Sequence, residues 1–307
     1  MITPPYDDRD GFIWYDGEMV PWREAKLHVL SHGLHYASSV FEGERAYNGS
    51  IFKLSEHSAR LAASAQIMGF KLPVSVDELD RICAETLLAN GIVNGYIRPV
   101  AWRGSEMMAV SAQSNRIHLA VAAWSWPSYF SPEARLRGLR LKTAPWHRPP
   151  PDCAPVMAKA AGLYMICTLS KHAVEAQGYD DALMLDWRGL VAEATGANIF
   201  FVMGDGRLHT PTPDCFLDGI TRQTVIELAR DQGIEVVERP IAPSELSRAT
   251  EVFLTGTAAE VTSVCEIDHH RFTPGAITRC LMDAYQAATG QIEAAVAAPA
   301  PAAASVA

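Results

Sequence analysis

Apolar residues recur at helical spacing in four parts of this 307-residue chain. We predict helices there, over residues 55–68, 76–89, 159–177 and 220–232. Ser55 is the type of residue that caps the start of the first helix, and Asn90-Gly91 supplies a stop signal for the second. On the second helix, apolar and small residues share one face: Leu79, Ile82, Cys83, Thr86 and Leu87.

Strands are predicted where β-branched and aromatic residues cluster between turn signals. Residues 13–15 and 17–20 form a hairpin around Asp16-Gly17. The other predicted strands are 96–100, 117–124, 182–186, 198–203, 207–210, 235–239 and 251–254.

The pattern breaks near Pro127 and Pro132, and we place an interdomain connection at residues 127–137. It separates a small N-terminal domain, residues 1–126, from a larger C-terminal domain, residues 138–290. Residues 146–152 form a second loop, because three consecutive prolines exclude a helix or a central strand. Residues 291–307 are rich in alanine and proline, which predicts a disordered tail.

The composition favours a cytoplasmic globular protein. Hydrophobic residues make up 49% of the chain and charged residues 20%, enough for a large core in two domains. The net charge of −9 argues against nucleic-acid binding, and no apolar stretch is long enough to cross a membrane. The N-terminus lacks the pattern of a signal peptide, and the six cysteines are scattered without a C-x-x-C pair.

Lys159 and Glu193 are the most informative pair of residues. Lys159 lies among the small and apolar residues of segment 154–164, where poor solvation favours the neutral, nucleophilic amine. Glu193 can supply the carboxylate that a pyridoxal phosphate ring needs beside its nitrogen. Together they predict pyridoxal 5'-phosphate as cofactor and Lys159 as the catalytic residue.

Three segments could bind the phosphate of such a cofactor. Ile220 and Thr221 start a predicted helix, whose free N–H groups and dipole attract anions. Taken alone, this segment is more often an ordinary helix start capped by Asp218. Thr257 follows a strand and offers a second hydroxyl. Arg60 offers a counter-charge, although an arginine at its helical position more often faces solvent.

A substrate carboxylate could be bound by Tyr96 and Arg98, which are two residues apart on a strand and therefore project from the same face. A surface ladder is an equally good interpretation of this pair. Four aromatic residues could line a side-chain pocket, although such residues more often belong to the core: Tyr36, Phe41, Trp126 and Tyr129.

Several other chemistries lack their sequence motifs. His28, His32 and His35 have helical spacing, but no carboxylate or cysteine completes a metal site, so we predict none. The chain has no G-x-G-x-x-G, P-loop, H-E-x-x-H or G-x-S-x-G motif. Nicotinamide, kinase and serine-hydrolase chemistry are therefore not indicated.

From Ile13 to about Gly290 the chain resembles the branched-chain amino acid aminotransferases of the fold-type IV group of pyridoxal phosphate enzymes. The segments that carry the resemblance are His35-Tyr36, Ser39-Val40-Phe41-Glu42-Gly43, Gly95-Tyr96-Ile97-Arg98-Pro99, Ala158-Lys159-Ala160 with Tyr164, residues 193–200, Gly219-Ile220-Thr221-Arg222 and Gly256-Thr257-Ala258-Ala259-Glu260.

The resemblance implies an α/β (α+β) fold of two domains with the cofactor between them, and a homodimer or larger homo-oligomer. Lys159 would hold the cofactor as a Schiff base and move the substrate Cα proton, Glu193 would pair with the ring nitrogen, and Tyr164 with the phenolic oxygen. Phosphate contacts are implied for Arg60, Ile220, Thr221 and Thr257. Substrate contacts are implied for Tyr36, Phe41, Tyr96, Arg98, Trp126, Tyr129, Ala258 and Ala259.

The implied reaction is a ping-pong transamination of L-leucine, L-isoleucine or L-valine with 2-oxoglutarate. The chain departs from the family pattern at Glu44, Asp218, Arg103 and Glu106. An (R)-selective amine or D-amino acid transaminase is the alternative that a charged Arg103 or Glu106 near the pocket would favour. A lyase of the aminodeoxychorismate type and a non-catalytic scaffold are weaker alternatives.

Overall fold

Two sheets organise the molecule. A computed structural model of the chain describes residues 4–126 and 137–292. Strands of the N-terminal half form a seven-stranded sheet, and strands of the C-terminal half form a nine-stranded sheet. The predicted interdomain connection, except for its last residue, and the predicted tail beyond residue 292 lie outside the described residues.

The first sheet is antiparallel throughout, in the order β2-β1-β7-β6-β4-β5, with β3 also paired to β6. The predicted hairpin is confirmed: β1 and β2 are joined at Asp16 and Gly17, both of which have positive φ. The bounds are β1 Phe12–Tyr15, β2 Glu18–Pro21, β3 Ser39–Phe41, β4 Glu44–Tyr47, β5 Ser50–Ile51, β6 Gly95–Arg103 and β7 Ile117–Ser125.

Two long helices cover one face of this sheet, α2 at Leu54–Ile67 and α3 at Val76–Ala89, after a short α1 at His32–Tyr36. The prediction for α3 is confirmed. The predicted cap at Ser55 is wrong, because Lys53 precedes α2 in a left-handed conformation and Ser55 donates its hydroxyl to Asp80 instead. The core between helices and sheet includes Leu61, Leu79, Ile82, Ile97 and Leu119.

The second sheet has the order β10-β9-β8-β15-β14-β11-β12-β13, with β16 paired to β15. The pairs β8–β9, β8–β15 and β12–β13 are parallel. The bounds are β8 Leu139–Thr143, β9 Asp181–Leu185, β10 Val191–Ala194, β11 Asn198–Met203, β12 Leu208–Thr210, β13 Val236–Glu238, β14 Ala249–Gly256, β15 Glu260–Ile267 and β16 His270–Arg271.

The helices of this half are α4 at Met165–Glu175, α5 at Ile220–Asp231 and α6 at Ala276–Ala288. The predicted helix over residues 159–177 is wrong in its first turns. Lys159 lies in an extended segment, followed by a 3-10 turn at Ala161–Tyr164, because its backbone bonds to the N-terminal half. Its N–H donates to Ser64 Oγ at 3.0 Å, and its carbonyl accepts from Phe41 N at 3.1 Å.

The Lys159 segment thus belongs to both halves of the molecule. Its neighbours Ala158, Ala160 and Leu163 are buried in the core of the N-terminal half. A cleft between the two sheets opens at this junction. Within the described residues, no helix is both long and apolar enough to cross a membrane.

Candidate active site

One cleft between the two halves collects all of the predicted catalytic and cofactor-binding residues. They lie in five separate segments of the chain, and several more residues contribute to its walls. The predicted residues that line it are Arg60, Lys159, Tyr164, Glu193, Ile220, Thr221 and Thr257.

The amine of Lys159 points at the hydroxyl of Tyr164. The distance from Lys159 Nζ to Tyr164 Oη is 2.9 Å, and the ring of Phe41 lies 5.0 Å from the same nitrogen. Burial lowers the pKa of Lys159, but Tyr164 and the carboxylate of Glu42 raise it by more, so it lies above its ordinary value. Poor solvation thus favours the neutral amine, as expected from the sequence, but the neighbouring groups outweigh it in the protein without cofactor.

Glu193 occupies a bulge at the edge strand β10, with its side chain buried in the cleft. Arg148 Nε lies 3.3 Å from one carboxylate oxygen, and Asn198 Nδ2 donates to the other at 3.3 Å. Burial raises the pKa of Glu193 to about 7, although Arg148 and Lys159 oppose the shift. A cationic group placed against Glu193 would lower this pKa and be held by it.

Arg60 is not a solvent-facing residue. Its guanidinium donates from Nε and Nη2 to the two carboxylate oxygens of Glu42, at 2.7 and 2.9 Å. His57 Nδ1 approaches the same carboxylate at 2.7 Å. Burial would raise the pKa of Glu42, but Arg60 and His57 hold it well below its ordinary range. Arg60 is therefore fixed at the wall of the cleft as a cation.

The start of helix α5 presents free backbone N–H groups to the cleft, as predicted from its sequence. The cap residue is Gly219 rather than Asp218, whose carboxylate is occupied by Arg222 and Gln223 at 2.7 Å each. A Cβ atom on Gly219 would lie 2.2 Å from Asn198 Oδ1, so any larger residue would force Asn198 to shift from its bonds to Glu193 and the Leu217 carbonyl. The negative charge of Asp218 is thereby directed away from an anion at the helix start.

Tyr96 and Arg98 share one face of β6, as predicted, with Arg98 Nη2 3.3 Å from Tyr96 Oη. The guanidinium of Arg98 lies 4.9 Å from the ring centre of Phe41, which itself packs edge-on against Tyr164. Trp126 packs against Tyr96 with ring centres 4.7 Å apart. Phe41, Arg98, Tyr96 and Trp126 therefore form a continuous series of contacts that begins beside Lys159.

The remaining predicted substrate residues are placed differently. Ala258 and Ala259 line a hollow that adjoins the cleft and shares Tyr164 as a wall. Tyr36 is 45% exposed and stacks on His32, so within the described residues nothing brings it to the lysine. Tyr129 lies outside the described residues.

The residues that depart from the family pattern have structural contacts. Arg103 donates to the carbonyls of Ala112 and Gly69 and so holds two loops. Glu106 accepts from the backbone of Arg116. Glu44 is fully buried beneath the sheet beside Cys83. The expectation that Arg103 or Glu106 acts near the pocket receives no support from these contacts.

Two charged residues of the site were not predicted from the sequence. Arg148 lies in the proline-rich loop, where nothing in the sequence reveals that its side chain is buried against Glu193. Glu42 belongs to a segment that resembles the family, yet its pairing with a residue 18 positions away is visible only in the fold. The residues that flank Arg148 and Glu42 in the sequence do not indicate which distant residue each of them pairs with.

The cleft fits a phosphorylated pyridine aldehyde. It offers a primary amine, a buried carboxylate and, at the helix start, donors for an anion. Thr255 Oγ1 is buried there without a hydrogen-bond partner in the described residues, which is the state expected of a group that serves a ligand. A Cβ atom added at Gly196 would meet nothing within 4 Å, and one added at Gly256 would make only ordinary contacts.

Comparison with known proteins decides the family. The model of the class IV aminotransferases matches residues 39–267. The chain belongs to this family. A branched-chain-amino-acid aminotransferase of Pseudomonas aeruginosa is 41% identical over 285 residues, which cover 91% of this chain and 92% of that protein.

Solved structures of the family are also similar. The branched-chain aminotransferase of Thermoproteus uzoniensis with norvaline has a TM-score of 0.88 at 38% identity, covering 93% of this chain and 97% of that one. The branched-chain amino acid aminotransferase of Thermobaculum terrenum in its PLP form has a TM-score of 0.83 at 32% identity, covering 92% and 95%. The predicted fold-type IV architecture is confirmed by this likeness.

Proposed function

We propose that the protein is a pyridoxal 5'-phosphate-dependent aminotransferase that exchanges amino groups between branched-chain L-amino acids and 2-oxoglutarate. The observation that carries the proposal is the common cleft of Lys159 and Glu193, in a chain of the class IV aminotransferase family. Relatives named for branched-chain substrates support the choice of leucine, isoleucine and valine.

Pyridoxal 5'-phosphate, when bound, supplies an aldehyde and an electron-accepting ring. Lys159 Nζ would bind the cofactor covalently and would take and return the substrate Cα proton. Tyr164 Oη, 2.9 Å from that nitrogen, orients it. Glu193 would hold the ring nitrogen in its protonated form, because a buried carboxylate is stabilised by an adjacent cation. We place the cofactor between the domains of residues 1–126 and 138–290.

The phosphate would be held by the N–H groups of Ile220 and Thr221, by Thr257 and by Arg60. The binding of Arg60 to Glu42 uses two of its donor groups and leaves Nη1 without a partner in the described residues. The backbone at Ala258 and Ala259, with the Tyr96 hydroxyl, would receive the substrate α-carboxylate.

Two classes of side chain share one pocket in this proposal. The rings of Phe41 and Trp126, with Tyr36 and Tyr129 as expected further members, would pack a branched aliphatic chain. Arg98 would bind the distal carboxylate of glutamate or 2-oxoglutarate; its Nε is buried and has no hydrogen-bond partner in the described residues. The contact on which the alternative D-amino acid or (R)-amine activity depends is not seen within residues 4–126 and 137–292, because Arg103 is bound to loop carbonyls there.

The proposal includes a homodimer or larger assembly in the cytoplasm. An exposed apolar surface, formed by Leu27, Val29, Leu30, Leu34 and Tyr36, supports self-association, since each of these side chains is at least 45% exposed. All six cysteines are free thiols, in keeping with a reducing compartment. Light scattering of the purified protein would contradict the assembly if it gave the mass of one chain.

A panel of amino donors tests the proposed reaction. L-leucine, D-alanine and (R)-1-phenylethylamine are each supplied with 2-oxoglutarate or pyruvate, and formation of the new amino acid is measured. We expect L-leucine with 2-oxoglutarate to be the best pair. Predominant turnover of D-alanine or the amine would reject the substrate assignment, while no turnover with any donor would reject transamination.

A further inference from the structure

Arg148 is a buried cation whose guanidinium contacts two sides of the cleft. Its Nε lies 3.3 Å from Glu193 Oε1. Its Nη1 donates to the Leu163 carbonyl at 3.5 Å and to Cys167 Sγ at 3.4 Å. Glu193 belongs to β10, whereas Leu163 belongs to the 3-10 turn that follows Lys159. One side chain therefore contacts both the carboxylate of the site and the segment that carries the amine.

The backbone of Arg148 is held by the second sheet. It forms a parallel bridge with Asp186, and its N–H donates to the Leu185 carbonyl at 2.8 Å. Prolines occupy positions 149–151, which favours an extended conformation at Arg148 and restricts φ in the next three residues. The guanidinium is thus delivered to the cleft by a backbone of restricted freedom.

Glu193 interacts with two cations and two thiols. Arg148 and Lys159 lower its pKa, but burial outweighs them. The thiols of Cys167 and Cys215 also interact with it electrostatically; burial raises their pKa to about 11 and about 12, so both are neutral near pH 7. Lys159 is engaged by the cofactor in the proposed function. Arg148 is therefore the constant cation beside Glu193, since a guanidinium keeps its proton.

We propose that Arg148 is a positioning residue, which keeps Glu193 ionised and fixes its carboxylate relative to the turn that follows Lys159. It acts through Glu193 and does not itself bind the ring nitrogen. The proposal rests on the proposed function, because it takes Glu193 as the partner of the ring nitrogen of pyridoxal 5'-phosphate. An ionised carboxylate is required there, since it accepts the hydrogen bond of a protonated ring nitrogen and stabilises its charge.

The first test uses the protein without cofactor. The free energy of unfolding in urea is measured from about pH 5 to about pH 9 for each form of residue 148, with and without Glu193→Gln. In the wild-type pair, the difference falls with rising pH until about pH 7, the folded pKa of Glu193. Arg148→Met removes a cation that lowers this pKa, so the fall should continue to higher pH.

Two variants serve as comparisons for this measurement. Arg148→Lys keeps a positive charge, so the pH dependence should stay near that of wild type. Arg140→Met removes a cation that is paired with Glu266 at 2.6 Å, and should not move the pH dependence. Arg140 thus controls for the loss of an arginine from another ion pair.

The second test measures transamination of L-leucine with 2-oxoglutarate in the presence of cofactor. Arg148→Met should lower kcat about tenfold to hundredfold and change KM little, because the displaced group faces the ring and not the substrate. Arg148→Lys should recover part of the loss. Because Arg148 acts through Glu193, adding Arg148→Met to Glu193→Gln should cause little further loss.

An unmoved pH dependence in Arg148→Met would overturn the proposal, as would losses of kcat that multiply in the double variant. If Arg148→Met does not fold, Arg148→Lys decides the matter, since its loss of kcat should disappear in the Glu193→Gln background. Failure of the wild-type protein to transaminate any donor would instead reject the proposed function. The measurement without cofactor would still show whether Arg148 keeps Glu193 ionised.

Discussion

The buried carboxyl group of Glu193 should make the stability of the cofactor-free protein fall as pH rises. Burial raises its pKa from the ordinary 4.5 to about 7. Between these values the folded protein keeps a proton that the unfolded chain has released. By linkage, stability is greatest below the unfolded pKa and is lost as pH rises through the folded pKa.

The magnitude follows from the two pKa values. Each pH unit fully inside the interval lowers the free energy of unfolding by about 1.4 kcal/mol. From about pH 5 to about pH 7.5 the loss should reach roughly 2 kcal/mol, because both titrations are partial near the ends. Glu193→Gln retains the shape of the side chain without the titration and should abolish this component.

Urea unfolding of both proteins across this pH range provides the assay. The quantity of interest is the difference in free energy of unfolding between wild type and Glu193→Gln at each pH. Burial lowers the pKa of His57, which makes stability change with pH in the opposite direction. This contribution is common to both proteins and cancels in the difference. A difference that stays constant with pH would refute the reasoning about Glu193.

Three further substitutions give separate predictions. Arg98→Gln should raise KM for 2-oxoglutarate roughly tenfold to hundredfold and change KM for L-leucine much less, measured by steady-state kinetics; equal changes would contradict the role in binding a distal carboxylate. Glu42→Gln should lower the free energy of unfolding by about 3 kcal/mol, because it leaves a buried arginine unpaired. Arg23→Gln, in an exposed ion pair, should leave the free energy of unfolding nearly unchanged and serves as the control; equal losses in the two variants would contradict the role of burial. Gly219→Ala should lower the free energy of unfolding by about 1–3 kcal/mol, because the added Cβ comes too close to Asn198 Oδ1. Gly204→Ala is the control and should not, because its Cβ meets only an ordinary contact. Comparable unfolding curves for the two variants would contradict the close approach of residue 219 to Asn198.

Local signals in the sequence were sufficient for several elements. Asp16-Gly17 predicts its hairpin because few other residues tolerate the positive φ of such turns. The helix Val76–Ala89 is predicted with its bounds because an amphipathic face and the stop signal Asn90-Gly91 agree, and the structure adds a cap at Ser75. Sequence pattern and tertiary structure favour the same conformation at these positions.

Prediction fails where distant parts of the chain decide the conformation. Lys159 lies in a segment with helical spacing, but its backbone pairs with Ser64 and Phe41 of the other half. The same holds for charges: Arg148 and Glu193 meet across 45 positions, and neither neighbourhood indicates the other. The residues of the cleft could be selected by their chemistry and resemblance, whereas their partners required the fold.

The central claim is that Lys159 binds pyridoxal 5'-phosphate covalently in the cleft that contains Glu193. Reduction of the protein–cofactor complex with borohydride, followed by peptide mass spectrometry, tests it directly. The account predicts one pyridoxyl label, on the peptide that contains Lys159, and its absence from Lys159→Ala. A label on another lysine, with full retention in Lys159→Ala, would contradict the account.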